Sequence, residues 1–128
     1  MKKTGLADIY RDYIRCLNSR DWPLLVRFVD HKVRHNGRRL GLTGYREMLE
    51  QDCEDIPDLE FRIDLLVSEP PMIASRLRFD VTPKAGFLGL AVNGRRISFA
   101  ENVFYRFHED KIIDVWSVID KSAIERQL

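Results

Sequence analysis

Glu101, Asp114 and Asp120 are the acids in this sequence whose spacing could set up proton chemistry, and the stretch "FYRFHEDKIIDVWSVID", residues 104–120, holds two of them. It reads as two strands joined by a tight turn at Glu109–Asp110. That turn pairs His108 with Lys111 and predicts Phe107 opposite Ile112, Tyr105 opposite Asp114, Val103 opposite Trp116, Glu101 opposite Val118 and Phe99 opposite Asp120. Side chains two apart on a strand share a face, so an unbroken register collects Phe99, Tyr105, Phe107 and Trp116 with all three acids. Asp114 falls near the turn, at an exposed end. Glu101 and Asp120 fall deeper, as diagonal neighbours on adjacent strands. A carboxyl among aromatic rings loses solvation in its charged form, and a second carboxylate nearby raises its pKa further. Such a group exchanges protons near neutral pH, which is what general acid–base catalysis requires. The other arrangement open to these acids is pairing with an arginine such as Arg38 or Arg39.

The histidines offer further proton carriers. His31 and His35 in "VDHKVRHNG" are spaced like a metal pair on a helix, but a third ligand is missing and "KVRHNG" reads as a strand entering a turn. His35 is therefore a pocket candidate beside Asn36, and no metal site is expected. His108 sits in the hairpin turn. No Gly-rich phosphate loop follows a strand, no nucleophile elbow is present, and neither cysteine has a base beside it. Proton transfer without a cofactor is the chemistry that remains.

Composition narrows the partners. Lys and Arg number 21 against 20 acids in 128 residues, so no global field draws in nucleic acid or an anionic membrane. The basic run from Arg27 through Lys32, Arg34 and Arg38 to Arg39 lacks the interleaved aromatics that stack on bases. No apolar run approaches the roughly 20 residues of a membrane span, and "MKKTGLADIY" has no apolar segment of a signal peptide. Cys16 and Cys53 fit buried, reduced thiols. These features predict one cytoplasmic domain spanning residues 1–128.

The positioning elements follow from periodicity. Leu6, Ile9, Tyr10, Tyr13, Ile14 and Leu17 form one helical stripe. "RDWPLLVRFV" restarts as a short helix, with Asp21 as its cap and Pro23 in its first turn. "TGYREMLEQDCEDIPD" predicts a third, with Thr43 as cap, Tyr45, Met48, Leu49 and Cys53 inward, and Pro57 as its end. The period then changes to two. Leu59, Phe61, Ile63 and Leu65 alternate with charges, as do Ile73, Ser75, Leu77, Phe79 and Val81, which sets Ile63 against Leu77, Phe61 against Phe79 and Asp64 against Arg76. "SEPP" turns between these strands. Thr82 to Arg96 is a long irregular segment whose Phe87, Leu88 and Leu90 suit a lid over a binding site. Helices first and antiparallel strands afterwards imply an α+β fold, with helices laid across one sheet face.

Several local motifs, in order, resemble the SnoaL-like polyketide cyclases of the nuclear transport factor 2-like (cystatin-like) superfamily. They are "YIRCLNSRDW", the His35–Asn36 turn, "TGYREML" with "IPDLEF", "GFLGLAVNGRRISF", and the closing hairpin followed by "QL". The resemblance implies a cone-shaped, curved antiparallel sheet closed by the N-terminal helices around an apolar pocket, and a homodimer through the outer sheet face. It also implies cofactor-free ring closure, such as intramolecular aldol cyclisation, of a small apolar carbonyl-bearing substrate. On this pattern Asp120 is the acid/base, Glu101 its partner, and His35 with Asn36 polarise a substrate oxygen. Phe99, Tyr105 and Trp116 form the apolar wall, with Phe87 and Leu88 at the mouth. Val115 and Thr82–Pro83 stand where many members carry histidines. The alternatives within the same fold are an isomerase or dehydratase, or a non-catalytic binding or assembly module.

Overall fold

A computed structural model describes residues 5–128. Helix α1, Leu6–Ser19, buries Tyr10, Tyr13, Ile14 and Leu17, the stripe that its sequence spacing requires. It ends at Arg20 in the left-handed region (φ 54°), whose N–H reaches the carbonyls of Cys16 and Leu17. The proline-bearing segment Trp22–Arg27 is a 3₁₀ helix, and its Asp21 side chain makes no cap bond. Helix α2, Gly41–Asp55, starts two residues before Thr43, so Thr43 lies inside the first turn and caps nothing. Tyr45, Leu49 and Cys53 are buried and Met48 is half-buried.

Six strands follow and interleave with these helices: β1 Val29–His35, β2 Arg38–Arg39, β3 Arg62–Glu69, β4 Met72–Val81, β5 Ile97–His108 and β6 Lys111–Ile119. A short helix, α3 Lys121–Glu125, closes the chain. The sheet order is β2-β1-β6-β5-β4-β3. All neighbours are antiparallel except β1 and β6, which run parallel and make the sheet mixed. His35 pairs with Arg38 across Asn36–Gly37, both at positive φ (49° and 80°), as the Asn-Gly hairpin signal dictates. Helices α1 and α2 cover the inner face of the curved sheet, and one hydrophobic core links them to β1, β4, β5 and β6.

Two bulges decide which side chains reach that core. In β3 the register shifts between Ile63 and Leu65. Ile63 still faces Leu77, and the Phe61 and Phe79 rings meet edge-on at 5.4 Å. Asp64 contacts Arg76 at 3.3 Å as expected. Beyond the bulge Leu66 turns inward, and Leu65, expected inside, is exposed.

The second bulge corrects the closing hairpin. His108–Lys111 and Phe107–Ile112 pair as the turn predicts, but one extra residue, Ile113, shifts everything after it. Arg106 then opposes Asp114, Tyr105 opposes Val115, Phe104 opposes Trp116, Val103 opposes Ser117 and Glu101 opposes Ile119. Asp114 and Trp116 therefore point to the outer face. The cause is visible in the charges. The unbulged register would set Asp114 against Tyr105 in the core, where a carboxylate has no partner. In the bulged register it lies between Arg34 (2.7 and 2.9 Å) and Arg106 (2.9 Å to Nε). Burial works to raise the Asp114 pKa, but the hydrogen bonds and charges of the two guanidiniums outweigh it and hold the carboxyl below its ordinary range. Asp114→Asn removes this anchor, and a charged hydrogen-bond pair of this kind is worth about 2 kcal/mol. The expected outcome is a fall in Tm of roughly 5–10 °C, measured by calorimetry. An unchanged Tm would assign the bulge to packing alone.

Candidate active site

Between the inner sheet face and the helices lies an open cavity of about 260 Å³. Its walls are largely apolar: Leu17, Met48, Leu49, Ile56, Phe61, Leu77, Phe79, Phe99 and Val115. The polar groups on it are few. They are Glu101 and Ser117 from the sheet, His35 from the end of β1, Asp52 from α2, and Tyr13, Tyr45 and Tyr105.

Glu101 is positioned by β5, whose register with β4 sets it opposite Leu77. Its carboxyl accepts a hydrogen bond from Ser117 Oγ. Desolvation by the surrounding core raises its pKa, and the Ser117 bond opposes this only in part. No arginine or lysine is paired with it among the described residues, so the ion pair with Arg38 or Arg39 does not form. Asp52 sits one residue before Cys53 on α2, two helical turns after Tyr45 and hence on the same side. It lies at the mouth, accessible to solvent on one flank. Desolvation by the cavity wall, then the charges of Glu101 and Asp55, push its pKa up to about 6. Sequence reading passed over Asp52, although its spacing of seven from Tyr45 was the available signal.

His35 lines the cavity with its ring centroid 6.4 Å from that of Tyr45. Burial, then the charge of Arg38, lowers its pKa, so it is neutral at pH 7. Asn36 does not line the cavity. Its carbonyl oxygen accepts from the Ser117 N–H (2.8 Å) and its amide donates to the Ser117 carbonyl (3.4 Å). It thus clamps β6 at the residue that bonds Glu101.

Phe99, Tyr105, Phe87 and Leu88 all line the cavity. The loop between β4 and β5 folds back on itself at Leu88–Gly89, with Phe87 and Leu90 exchanging two 2.9 Å hydrogen bonds. This brings the Phe87 ring to 5.5 Å from Phe99. Besides Asn36, two expected members are elsewhere. Trp116 stands on the outer sheet face, 39% exposed, because of the bulge. Asp120 follows the end of β6, its N–H bonded to Ala100 O and its carboxyl accepting from Ala123 N at 3.1 Å, so it caps α3. It is exposed and does not line the cavity.

Chemically, the arrangement sets one carboxyl, its pKa raised by burial, on the wall of an apolar pocket and a second, ionised at neutral pH, on the same cavity. Groups whose environments separate in this way divide acid and base roles. Among the described residues, no three His, Cys, Asp or Glu side chains come together to hold a metal ion, and no helix is long and apolar enough to cross a membrane.

Comparison with known proteins agrees with this architecture. The family model for "SnoaL-like polyketide cyclase" matches residues 7–128. A SnoaL-like polyketide cyclase from Agrobacterium tumefaciens is 54% identical, with 98% of each chain covered and a TM-score of 0.97. TsrD from Streptomyces laurentii is 20% identical over 99% of this chain and 96% of its own, with a TM-score of 0.84. IdmH from Streptomyces antibioticus is 16% identical over 97% and 98%, with a TM-score of 0.83. These last two share the fold. No curated protein matches the chain.

Proposed function

Because the chain belongs to the SnoaL-like polyketide cyclase family, we propose that it is an acid–base enzyme closing a ring by intramolecular aldol condensation in a small, apolar, carbonyl-bearing substrate. The observation that carries this reading is Glu101: a carboxyl without a cationic partner among the described residues, at the wall of an open apolar cavity. A passive apolar binder gains nothing from desolvating such a group. Asp52, ionised at pH 7, takes a proton from the carbon beside one carbonyl. The resulting enolate attacks a second carbonyl carbon, a carbon–carbon bond forms, and the new alkoxide oxygen takes the Glu101 proton. Transfer of the first proton from Asp52 back to Glu101, through solvent at the mouth, restores the starting state. Neutral His35 polarises a substrate oxygen, and Ser117 orients Glu101. Val115 faces the cavity, so the proton work falls on the two acids and His35.

The reading is tested by titration. Carboxyl-carbon NMR should give Asp52 a midpoint near 6 and Glu101 one above the ordinary glutamate range. Ordinary midpoints for both would remove the acid–base site. Stability carries the same signature, with a definite sign. A carboxyl whose pKa is raised by folding is penalised once ionised, so its penalty is full above the folded pKa and absent below the unfolded one. Asp52→Asn should therefore gain stability relative to wild type above about pH 6, and this gain should fade between about pH 6 and 4. Working on the difference between the two proteins cancels the other groups. Among these, His35 opposes the trend as it protonates, and Asp80 and Asp114, with lowered pKa values, lose their contributions only at lower pH.

We further infer a homodimer through the outer sheet face. Val67, Ala74, Phe104 and Trp116 form one cross-strand row over β3, β4, β5 and β6, with Leu65 and Val118 in the next. Phe104 is 55% and Val118 70% exposed. The charges beside the patch, Arg76 with Asp64 and Arg106 with Asp114, are paired within the chain, which leaves the apolar row to make the contact.

A further inference from the structure

All four tyrosines of the sequence, Tyr10, Tyr13, Tyr45 and Tyr105, meet in one buried cluster beside Glu101. They come from α1, α2 and β5 and make two hydroxyl pairs. Tyr10 donates to Tyr105 at 3.2 Å, and Tyr13 and Tyr45 lie 2.7 Å apart. The first pair has a direction. Because Tyr105 accepts from Tyr10, its own hydroxyl hydrogen is left over, and no acceptor takes it among the described residues. Ser75 Oγ is buried and makes no hydrogen bond among the described residues. Tyr10 does not line the cavity and Tyr105 does. The hydroxyl pair thus runs from Tyr10 to Tyr105, the member that lines the cavity.

The second pair leaves one hydrogen in the same way, and both its members line the cavity. The Tyr13 and Tyr105 rings lie 6.1 Å apart. A carbonyl oxygen has two lone pairs, which is the complement of two spare O–H donors. Burial pushes the Tyr10 pKa up to about 12 and those of the other three up as well, so every hydroxyl stays a donor.

Size bounds what carries that oxygen. An apolar cavity on the order of 150 Å³ holds one benzene ring. The 260 Å³ here suits one to two rings rather than four.

We propose that Tyr105, with a second donor from the Tyr13–Tyr45 pair, binds the oxygen of the enolising carbonyl in a cyclic or aryl ketone of one to two rings. This rests on the acid–base reading and adds to it the group that stabilises the enolate. Donors fixed before the reaction are worth more to a developing oxyanion than to a neutral carbonyl. Tyr10 acts through Tyr105 and is a positioning residue.

The test uses 1-indanone labelled with ¹³C at its carbonyl, with the carbonyl stretch read by infrared difference spectroscopy and affinity by titration. Bound to wild type, the band should lie below its position in an apolar solvent. Tyr105→Phe should return it most of the way and weaken binding about tenfold. Tyr45→Phe and Tyr10→Phe should each shift it by less, and either serves where Tyr105→Phe does not fold. A band insensitive to these tyrosines overturns the inference, as does a wild type that binds no indanone. Deuterium exchange at the indanone α-carbon separates the two readings. If Asp52→Asn and Glu101→Gln abolish exchange while the band ignores Tyr105, this inference fails and the acid–base reading stands. If the band follows Tyr105 while exchange ignores both acids, the reverse holds.

Discussion

Glu101→Gln lowers the enzyme-accelerated exchange of α-hydrogens in a small ketone such as 1-indanone by about 10²–10⁴-fold, the range a positioned proton carrier supplies. Glutamine keeps the volume and can still accept from Ser117 Oγ, so the cavity survives while the transferable proton is lost. The carboxyl's surroundings make this substitution gentle on the fold: the glutamate pays desolvation at that site, and the neutral amide pays less. Stability should stay level or rise while exchange collapses, and that divergence separates a chemical role from a structural one. Asp120→Asn is the decisive control. Asp120 caps α3 through the Ala123 N–H, a role asparagine fills nearly as well, so this variant should exchange at close to the wild-type rate. If Asp120→Asn abolished exchange and Glu101→Gln did not, the acid–base site would have to move to the end of β6.

Phe104→Arg should convert a dimer into a monomer. Phe104 stands at the centre of the cross-strand row on the outer face, opposite Ala74 on one side and Trp116 on the other. In a symmetric pair each substitution counts twice, and two guanidiniums would meet where two rings had packed. Central aromatic anchors of interfaces cost 2–4 kcal/mol on truncation, which raises the dissociation constant by roughly 30- to 1000-fold. Sedimentation equilibrium at micromolar protein reads this directly. The cavity opens on the other face of the sheet, so ketone binding should persist in the monomer. A wild type that sediments as a monomer at those concentrations would dismiss the outer face as an interface.

The fold was largely legible in the residues. Helical stripes in α1 and α2, the Asn36–Gly37 and Glu109–Asp110 turns, the paired prolines between β3 and β4, and the change of period after Pro57 are local signals that neighbours in sequence are enough to read. Glu101 was also legible as an inward acid, because it alternates on one strand with Phe99, Val103, Tyr105 and Phe107, and the unbroken pairing of β5 with β4 keeps it there. The rest of the site was not. A single extra residue at Ile113 sends Asp114 and Trp116 outward and brings Val115, Ser117 and Ile119 to the inner side. That bulge answers to a partner far along the chain: Arg34 on β1 captures Asp114. Side-chain alternation has a period of two, so one remote charge pair reverses a whole strand.

Asp52 and the tyrosine cluster make the same point from the helices. Residues 10, 13, 45 and 105 have no relation in sequence beyond falling on buried faces. What the amino-acid sequence determined by itself was the set of elements, their buried faces and an acid on β5. What only the tertiary structure decided was which polar groups share one cavity. Local periodicity fixes the direction of a side chain within its own element. The register between elements, settled by long-range charge pairs and packing, determines what that side chain meets.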